Sequence, residues 1–201
     1  MDKKQQTIDV YNATAESMTK KFAGFNVRTA DISHAFSYIQ KDIPKVVEIG
    51  CGNGRDAREI LRYTSDYLWM DISGEMIRLA KESLPEAASK FVVADVEEFE
   101  FPQWIDIIFS FASLLHTPRE KLQKVLWEML LALNPGGIAF ISLKHSDVYE
   151  EFTKTDEFWT RTYYYYCPQD ILDISGDKYS WHKVDHQNLR GQKWFTIILW
   201  K

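Results

Sequence analysis

The chain has few cysteines and no excess of positive charge. Two cysteines occur among 201 residues, Cys51 and Cys167, and neither has a second pair nearby. This usage excludes a disulfide framework and a cysteine-based metal site, and it is typical of a reducing compartment. Acidic residues outnumber basic ones, 29 against 24, which gives a net charge of −5. We therefore expect no general affinity for nucleic acid.

Long apolar segments are also missing. The chain has no run of roughly 18 apolar residues, the length that a helix needs to cross a bilayer. The first residues, MDKKQQTIDVYN, are polar and lack the apolar centre of a secretory signal. The sequence thus predicts a cytoplasmic protein without a membrane partner and without a bound metal. A length of 201 residues indicates one domain.

The first 44 residues predict a helical preface to this domain. Apolar residues recur there at helical spacing, and a shorter helical pattern follows before Pro44. The first helix places four apolar residues on one face: Tyr11, Ala15, Met18 and Phe22.

Residues 45–144 alternate between short apolar runs and helical patterns. The strand-like runs are KVVEIG, YLWMD, KFVVAD, IDIIFSFA and GIAFISL. Such an alternation is typical of a parallel sheet covered on both faces. Residues 145–201 end in two more runs, YSWHKVDH and KWFTIILW, which the linker NLRGQ joins into a predicted hairpin. We therefore predict an α/β, Rossmann-like, doubly wound fold with a mostly parallel seven-stranded sheet and an antiparallel C-terminal hairpin.

The stretch VVEIGCGNGRDA, residues 46–57, places three glycines between a strand and a helix. A glycine-rich turn lets the backbone approach a ligand closely and exposes amide groups at a helix N-terminus. Taken alone, the stretch is also compatible with a tight turn that binds nothing.

Three acids follow successive strands: Glu48, Asp71 and Asp95. Each alone would fit a helix N-cap or a solvated strand end, but all three lie where parallel sheets bind ligands. A carboxylate after the second strand can accept hydrogen bonds from ribose hydroxyls, and one after the third can accept from an adenine amine. The spacing G-x-G-x-G differs from the dinucleotide pattern G-x-G-x-x-G. A cationic nucleoside without phosphates, such as S-adenosylmethionine, fits these acids better.

The motifs VVEIGCGNGRDA, MDISGEMIRLAK, FVVADVEEF, FASLLHTPREKL and LNPGGIAFISLK resemble, in order and spacing, those of class I S-adenosylmethionine-dependent methyltransferases. The Tyr-x-x-x-Ala beginning, GRDA and ASLLH-x-PR are similar to a small bacterial-type subgroup whose substrates are often unassigned.

The resemblance implies a role for individual residues around the cofactor. Glycines 50, 52 and 54 with Cys51 would pass the methionine part, while Asp71 would hold the ribose and Asp95 the adenine amine. The remaining implied contacts are Ile72 and Met76 on the adenosine, the Val96 amide on a ring nitrogen, and Phe111 and Ala112 beside the ammonium and sulfonium.

Two of the remaining cofactor candidates, Arg55 and Tyr11, each have two interpretations. Arg55 could hold the cofactor carboxylate, or it could form a salt bridge with Asp56 or Glu59. Arg28 is a second candidate for that carboxylate. Tyr11 could place its ring beside the sulfonium, or it could belong only to the apolar face of its helix.

The acceptor side has a candidate base and three candidate binding residues. His116, just after the fourth strand, could take a proton near neutral pH, or it could cap the following helix. Lys144, Arg161 and Tyr164 are candidates for an acceptor pocket suited to an anionic small molecule. In an extended TYYYYC segment, Tyr164 and Tyr166 would share one face and Tyr163 and Tyr165 the other.

The leading interpretation is a methyltransferase acting on a small molecule, built as one domain: a preface over the cofactor (1–44), a cofactor-binding core (45–144) and a substrate-side segment with a hairpin (145–201). A monomer or a homodimer would fit. The alternatives are an RNA or protein methyltransferase, a cofactor-binding protein without catalysis, and a nicotinamide-dependent oxidoreductase, which the glycine spacing disfavours.

Overall fold

A computed structural model of the chain describes residues 2–24, 26–156, 159–189 and 191–201. These residues form six α-helices: α1 (Lys3–Phe22), α2 (Thr29–Phe36), α3 (Ala57–Ile60), α4 (Gly74–Ser83), α5 (Arg119–Ala132) and α6 (Pro168–Ser175). They also form nine strands: β1 (Val46–Ile49), β2 (Tyr67–Asp71), β3 (Phe91–Val93), β4 (Ile105–Phe111), β5 (Leu133–Lys144), β6 (Glu150–Asp156), β7 (Trp159–Tyr165), β8 (Trp181–Leu189) and β9 (Gln192–Trp200).

Seven strands form one sheet in the order β3-β2-β1-β4-β5-β9-β8. The pairs from β3 to β5 are parallel, whereas β9 runs antiparallel to both β5 and β8. The predicted fold class is therefore confirmed. Chain order reverses between β1 and β4, and ligands of such sheets bind at that switch point, outside the carboxyl ends of the strands.

Two apolar layers cover the sheet. Alternate residues of β1 show why: Val47 and Ile49 pack into the layer that includes α5 and α6, whereas Val46 packs into the layer that includes α2, α3 and α4. All four residues of this strand are buried, as expected for a central strand of a parallel sheet. Among the described residues, no helix is both long and apolar enough to cross a membrane.

Helix α1 packs across the carboxyl edge of the sheet, against α4 and β7. Its apolar face meets Met76 of α4 through Val10, Ala15 and Met18, with Tyr11 and Phe22 partly buried alongside. The predicted face of this helix is thus confirmed at Ala15 and Met18.

The sequence did not predict a second hairpin, β6–β7, which forms a separate two-stranded sheet. Its strands carry charged and hydroxyl residues at positions that a buried strand fills with apolar ones, so the pattern predicted no strand. The predicted β8–β9 hairpin is present, although Arg190 of its linker lies outside the described residues. Helix α3 spans four residues, shorter than the RDAREILRY pattern predicts.

Candidate functional site

A cleft of about 960 Å³ opens at the carboxyl edge of the sheet. It is lined by the ends of β1 to β5, by α1, by the start of α2 and by both hairpins. Most predicted site residues line it: Tyr11, Arg28, Gly50, Cys51, Gly52, Arg55, Asp71, Ile72, Met76, Asp95, Val96, Phe111, Ala112, His116, Lys144 and Arg161.

The glycine turn after β1 is shaped by contacts that other residues would disturb. Gly50 has a φ of +71°, and a Cβ built on it would lie 2.1 Å from Ser113 Oγ. Gly52 has a φ of +56°, and a Cβ there would meet nothing within 4 Å. Gly50 therefore permits a close approach to the turn after β4, whereas Gly52 leaves its backbone open. Gly54 does not line the cleft, because it packs on Phe91 beneath the turn.

Asp71 connects the ends of β1 and β2. Its Oδ2 accepts the Gly52 amide at 2.9 Å and its Oδ1 accepts the Ser73 amide at 2.8 Å. Burial raises the pKa of Asp71, and the backbone hydrogen bonds from Ser73 and Gly52 oppose that rise. The carboxylate thus both fixes the glycine turn and faces the cleft.

The loop after β3 is bound to the first turn of α1. Asp95 accepts the Glu97 amide at 3.0 Å, and Lys4 forms ion pairs with both acids. Sequence reasoning missed Lys4, although it precedes Tyr11 by seven residues and so shares its helix face. The carboxylate that the resemblance assigns to an adenine amine is here occupied by a lysine.

A buried charged cluster lies beneath the glycine turn. Glu48 is 2% exposed, and its Oε2 has no hydrogen-bond partner among the described residues. Burial, followed by the charge of Asp56, raises the pKa of Glu48 well above its usual range, against the influence of Arg55 and Arg28. Buried carboxyls whose charge is poorly compensated favour the protonated form.

Both arginine candidates line the cleft and already have acidic partners. Arg55 donates to both carboxylate oxygens of Asp56, at 3.2 and 2.7 Å. Arg28 donates to Asp31 at 3.2 Å, and its guanidinium carbon lies 4.8 Å from the centre of the Phe111 ring. The structure shows the salt bridge to Asp56 that the sequence left as one alternative for Arg55, while the side chain stays on the cleft wall.

His116 forms hydrogen bonds through both ring nitrogens. Nδ1 lies 2.8 Å from the Thr162 carbonyl oxygen, which can only accept, so Nδ1 carries the proton. In the neutral ring Nε2 is then an acceptor, and it receives the Tyr11 hydroxyl at 3.0 Å. Burial lowers the pKa of His116 to about 4, with a contribution from Arg161 and Lys144 and against the Thr162 bond. Two separately predicted residues, Tyr11 and His116, therefore form one pair.

The turn after β4 also carries an unusual backbone conformation. Ala112 has a φ of +58°, a left-handed conformation that alanine rarely adopts, and it lines the cleft beside Phe111. Such strain is concentrated at functional sites in proteins, where the surrounding structure over-determines the conformation.

Of the tyrosines in TYYYYC, the structure places Tyr163 on the cleft and Tyr164 away from it. Tyr164 is 6% exposed and stacks parallel to Tyr149, with ring centres 6.3 Å apart. Tyr166 is fully buried on the same side and donates to the Thr117 carbonyl at 2.7 Å. The predicted alternation of faces is correct, and it is Tyr163, not the predicted Tyr164, that lines the cleft.

Comparison with known proteins gives a match to the central part of the chain. A family model described as a methyltransferase domain matches residues 46–137. The chain is 25% identical over 169 residues to malonyl-[acyl-carrier protein] O-methyltransferase 2 of Ilyobacter polytropus, over 80% of this chain and 64% of that protein. It spans smaller shares of other curated methyltransferases that it matches.

Solved structures share the whole fold. Magnesium protoporphyrin IX methyltransferase from Synechocystis, with bound S-adenosylmethionine, matches with a TM-score of 0.75 at 15% identity, over 100% of this chain and 98% of that one. A 1,6-didemethyltoxoflavin-N1-methyltransferase from Burkholderia thailandensis matches with a TM-score of 0.73 at 15% identity, over 100% and 91%. Residues 46–137 therefore match a methyltransferase domain, and the chain has the same fold as the two solved methyltransferases.

Proposed function

We propose that this protein transfers a methyl group from S-adenosylmethionine to a small-molecule acceptor. The observation that carries the proposal is the placement of Asp71 and Asp95 on one cleft wall, with Asp71 holding the open Gly52 turn. Acids after β2 and β3 can receive the ribose hydroxyls and the adenine amine of one nucleoside.

The residues present fit this cofactor. Gly52 has no side chain, and the space that a side chain would fill is open, so a ligand can lie beside the turn. A cleft of about 960 Å³ can hold a cofactor with a small second ligand. When bound, S-adenosylmethionine would supply an electrophilic methyl group on a sulfonium that is a good leaving group.

Each wall of the cleft has a separate binding task in this proposal. Asp71 accepts hydrogen bonds from the ribose hydroxyls. Asp95 accepts one from the adenine amine after Lys4 has moved away from its carboxylate. The other contacts proposed for the cofactor are those of Ile72 and Met76 with the adenosine, the Val96 amide with the ring, Gly50 and Cys51 with the methionine chain, and Phe111 and Ala112 with its ammonium and sulfonium.

Arg55 and Arg28 are proposed to bind the cofactor carboxylate. Both already lie on the cleft wall, and a guanidinium can bind a second carboxylate while it keeps the first. Residues 1–44, chiefly α1, are proposed to cover the bound cofactor, because α1 packs on Met76 of α4 and both Tyr11 and Met76 line the cleft.

His116 is proposed as the proton acceptor for acceptors that keep a proton near neutral pH. Its ring is neutral there, because burial lowers its pKa to about 4. The Nε2 lone pair is directed at the Tyr11 hydroxyl, so a proton would reach it through that hydroxyl or after Tyr11 turns aside. The other contribution of the site is alignment of the acceptor and exclusion of water.

A small acceptor is proposed because the cleft is enclosed by the two hairpins and the chain has no basic excess. Two structural neighbours, a protoporphyrin and a toxoflavin methyltransferase, support that size class. We also propose a cytoplasmic location, a monomer or homodimer, and no nucleic-acid partner. Titration with a structured RNA over a salt series should give no binding beyond a weak, salt-sensitive signal.

Calorimetry with S-adenosylmethionine tests the proposal. Asp71→Asn should weaken binding about 10- to 100-fold, since a hydrogen bond to a charged group contributes about 1.5–3 kcal/mol. Asp173→Asn, at an exposed site on α6 that does not line the cleft, is the control and should bind normally.

Because Asp71 also holds Gly52 and Ser73, thermal unfolding of the variant must be compared with that of the parent. Asp95→Asn provides a second variant at the adenine end. Normal cofactor affinity in both variants, or binding of NAD in place of S-adenosylmethionine, would contradict the proposal.

A further inference from the structure

Charged residues of both signs line the cleft. Its acidic lining residues, within the described part of the chain, come from α2 and from the ends of β1, β2 and β3: Asp31, Glu48, Asp56, Asp71, Asp95 and Glu97. Three of its basic residues, Lys4, Arg28 and Arg55, form ion pairs with acids of this group. The others come from the end of α1, from β5 and from the β6–β7 hairpin: Lys21, Lys144, Lys154 and Arg161. In the sheet, β4 separates the strands that carry Glu48 and Asp71 from β5, which carries Lys144. In a chain with a net charge of −5, composition does not explain this basic group.

Lys144 ends β5 among aromatic rings. Its Nζ lies 4.0 Å from the ring centre of Tyr163, 5.3 Å from that of Tyr165 and 5.9 Å from that of Trp194. Cations are attracted to ring faces, and this attraction strengthens where water is excluded. The ammonium is therefore held at the cleft wall by rings, a fixed position suited to binding an anion.

Arg161 lies on the same face of β7 as Tyr163, two residues away. It is 6% exposed, and its guanidinium carbon lies 5.7 Å from the ring centre of Tyr11 and 5.6 Å from that of Tyr163. Lys154 pairs with Arg161 across the hairpin. The Tyr163 ring thus lies close to two cations, Lys144 and Arg161, that both line the cleft.

We propose that this end of the cleft is the acceptor subsite and that it takes a small, flat carboxylate. The carboxylate would bind between Lys144 and Arg161, and the flat body would lie on Tyr163. A guanidinium and an ammonium match a carboxylate, and aromatic walls favour a planar partner. This inference rests on the proposed function, because it names the class of molecule that the same cleft would methylate.

The subsite lies next to the proposed base. The rings of His116 and Tyr163 have centres 4.9 Å apart, and Tyr11 contacts both His116 and the Arg161 guanidinium. After burial, the charges of Arg161 and Lys144 further lower the pKa of His116. An anion bound between these cations should therefore raise that pKa, which gives a signature independent of methyl transfer.

The test compares benzoate with benzamide, which has the same shape without the charge, binding to the full chain in the presence of S-adenosylhomocysteine. Benzoate should bind at least tenfold more tightly than benzamide. Lys144→Met should abolish this preference, Lys144→Arg should retain it, and Lys193→Met should leave it unchanged. Lys193 is the control because it adjoins Trp194 in β9 and is exposed without lining the cleft.

A second measurement follows the His116 ring by NMR as benzoate is added, and we expect its midpoint of titration to move to higher pH. Equal binding of benzoate and benzamide, no binding of either, or an unchanged preference in Lys144→Met would overturn the subsite. Benzoate selectivity in a protein that fails to bind S-adenosylmethionine would support the anion site and contradict the proposed function. Cofactor binding without benzoate selectivity would support the proposed function and contradict the anion site.

Discussion

Replacement of His116 by glutamine should flatten the dependence of stability on pH. Glutamine can still donate to the Thr162 carbonyl and accept the Tyr11 hydroxyl, but it cannot bind a proton in this range. The native ring is buried between these two partners, and burial lowers its pKa to about 4. An unfolded histidine titrates near pH 6.5, so between these values only the unfolded chain binds the proton.

The sign and the size of the change in the free energy of unfolding follow from the difference between these two pKa values. The contribution of His116 to folding is complete above pH 6.5 and is lost as the pH falls towards 4, because protonation favours the unfolded chain. With pKa values of about 4 and 6.5, the free energy of unfolding falls by about 2 kcal/mol between pH 7 and pH 5 on account of this residue.

Urea unfolding at pH 7 and pH 5 measures the effect. Carboxyl groups titrate alike in parent and variant, so the difference between the two pH dependences isolates His116. His182→Gln, at an exposed position of β8, should follow the parent. If His116→Gln loses as much stability as the parent between these pH values, the ring is not held neutral and the placement of its proton is wrong.

Two further predictions concern the glycine turn and the acid beneath it. Gly52→Ala should cost about 1–2 kcal/mol, the strain of a left-handed alanine, whereas Gly50→Ala should cost a further 1–3 kcal/mol because its methyl group would overlap Ser113. Urea unfolding of the pair checks this, and equal losses would contradict the close approach. Because burial raises the pKa of Glu48, its favourable contribution is present at low pH and is lost as the pH rises through the folded value. Glu48→Gln should therefore gain stability over the parent between pH 5 and pH 9, and parallel stability curves would count against a protonated Glu48.

The sequence predicted those parts of the molecule that depend on local periodicity. The central strands are short apolar runs, with Glu48 and Asp71 near the carboxyl ends of β1 and β2 and Asp95 just after β3, so both the sheet and its acidic edge could be predicted. The β6–β7 hairpin was not predicted, because its strands carry charged and hydroxyl residues where a buried strand has apolar ones; β7 packs on α1 and forms no part of the main sheet.

The features that the sequence did not predict depend on contacts between residues that lie far apart in the chain. The Tyr11–His116 bond joins positions 105 residues apart, and no local pattern indicates it. The alternation of an extended segment gives two faces without saying which one meets the cleft, so the sequence alone cannot decide between Tyr163 and Tyr164. Only the position of β7 beside α1 decides between them.

Helix α1 contacts the cleft at both of its ends. Its 20 residues span about 30 Å, with Lys4 on Asp95 at the start, Tyr11 on His116 in the middle and Phe22 on the cleft wall at the end. In the proposed function, an adenine that displaces Lys4 from Asp95 would act on the same helix that carries Tyr11, the partner of His116. We therefore expect the affinities for the cofactor and for the acceptor to be thermodynamically linked. This linkage must be reciprocal: the factor by which the cofactor changes the affinity for the acceptor equals the factor by which the acceptor changes the affinity for the cofactor.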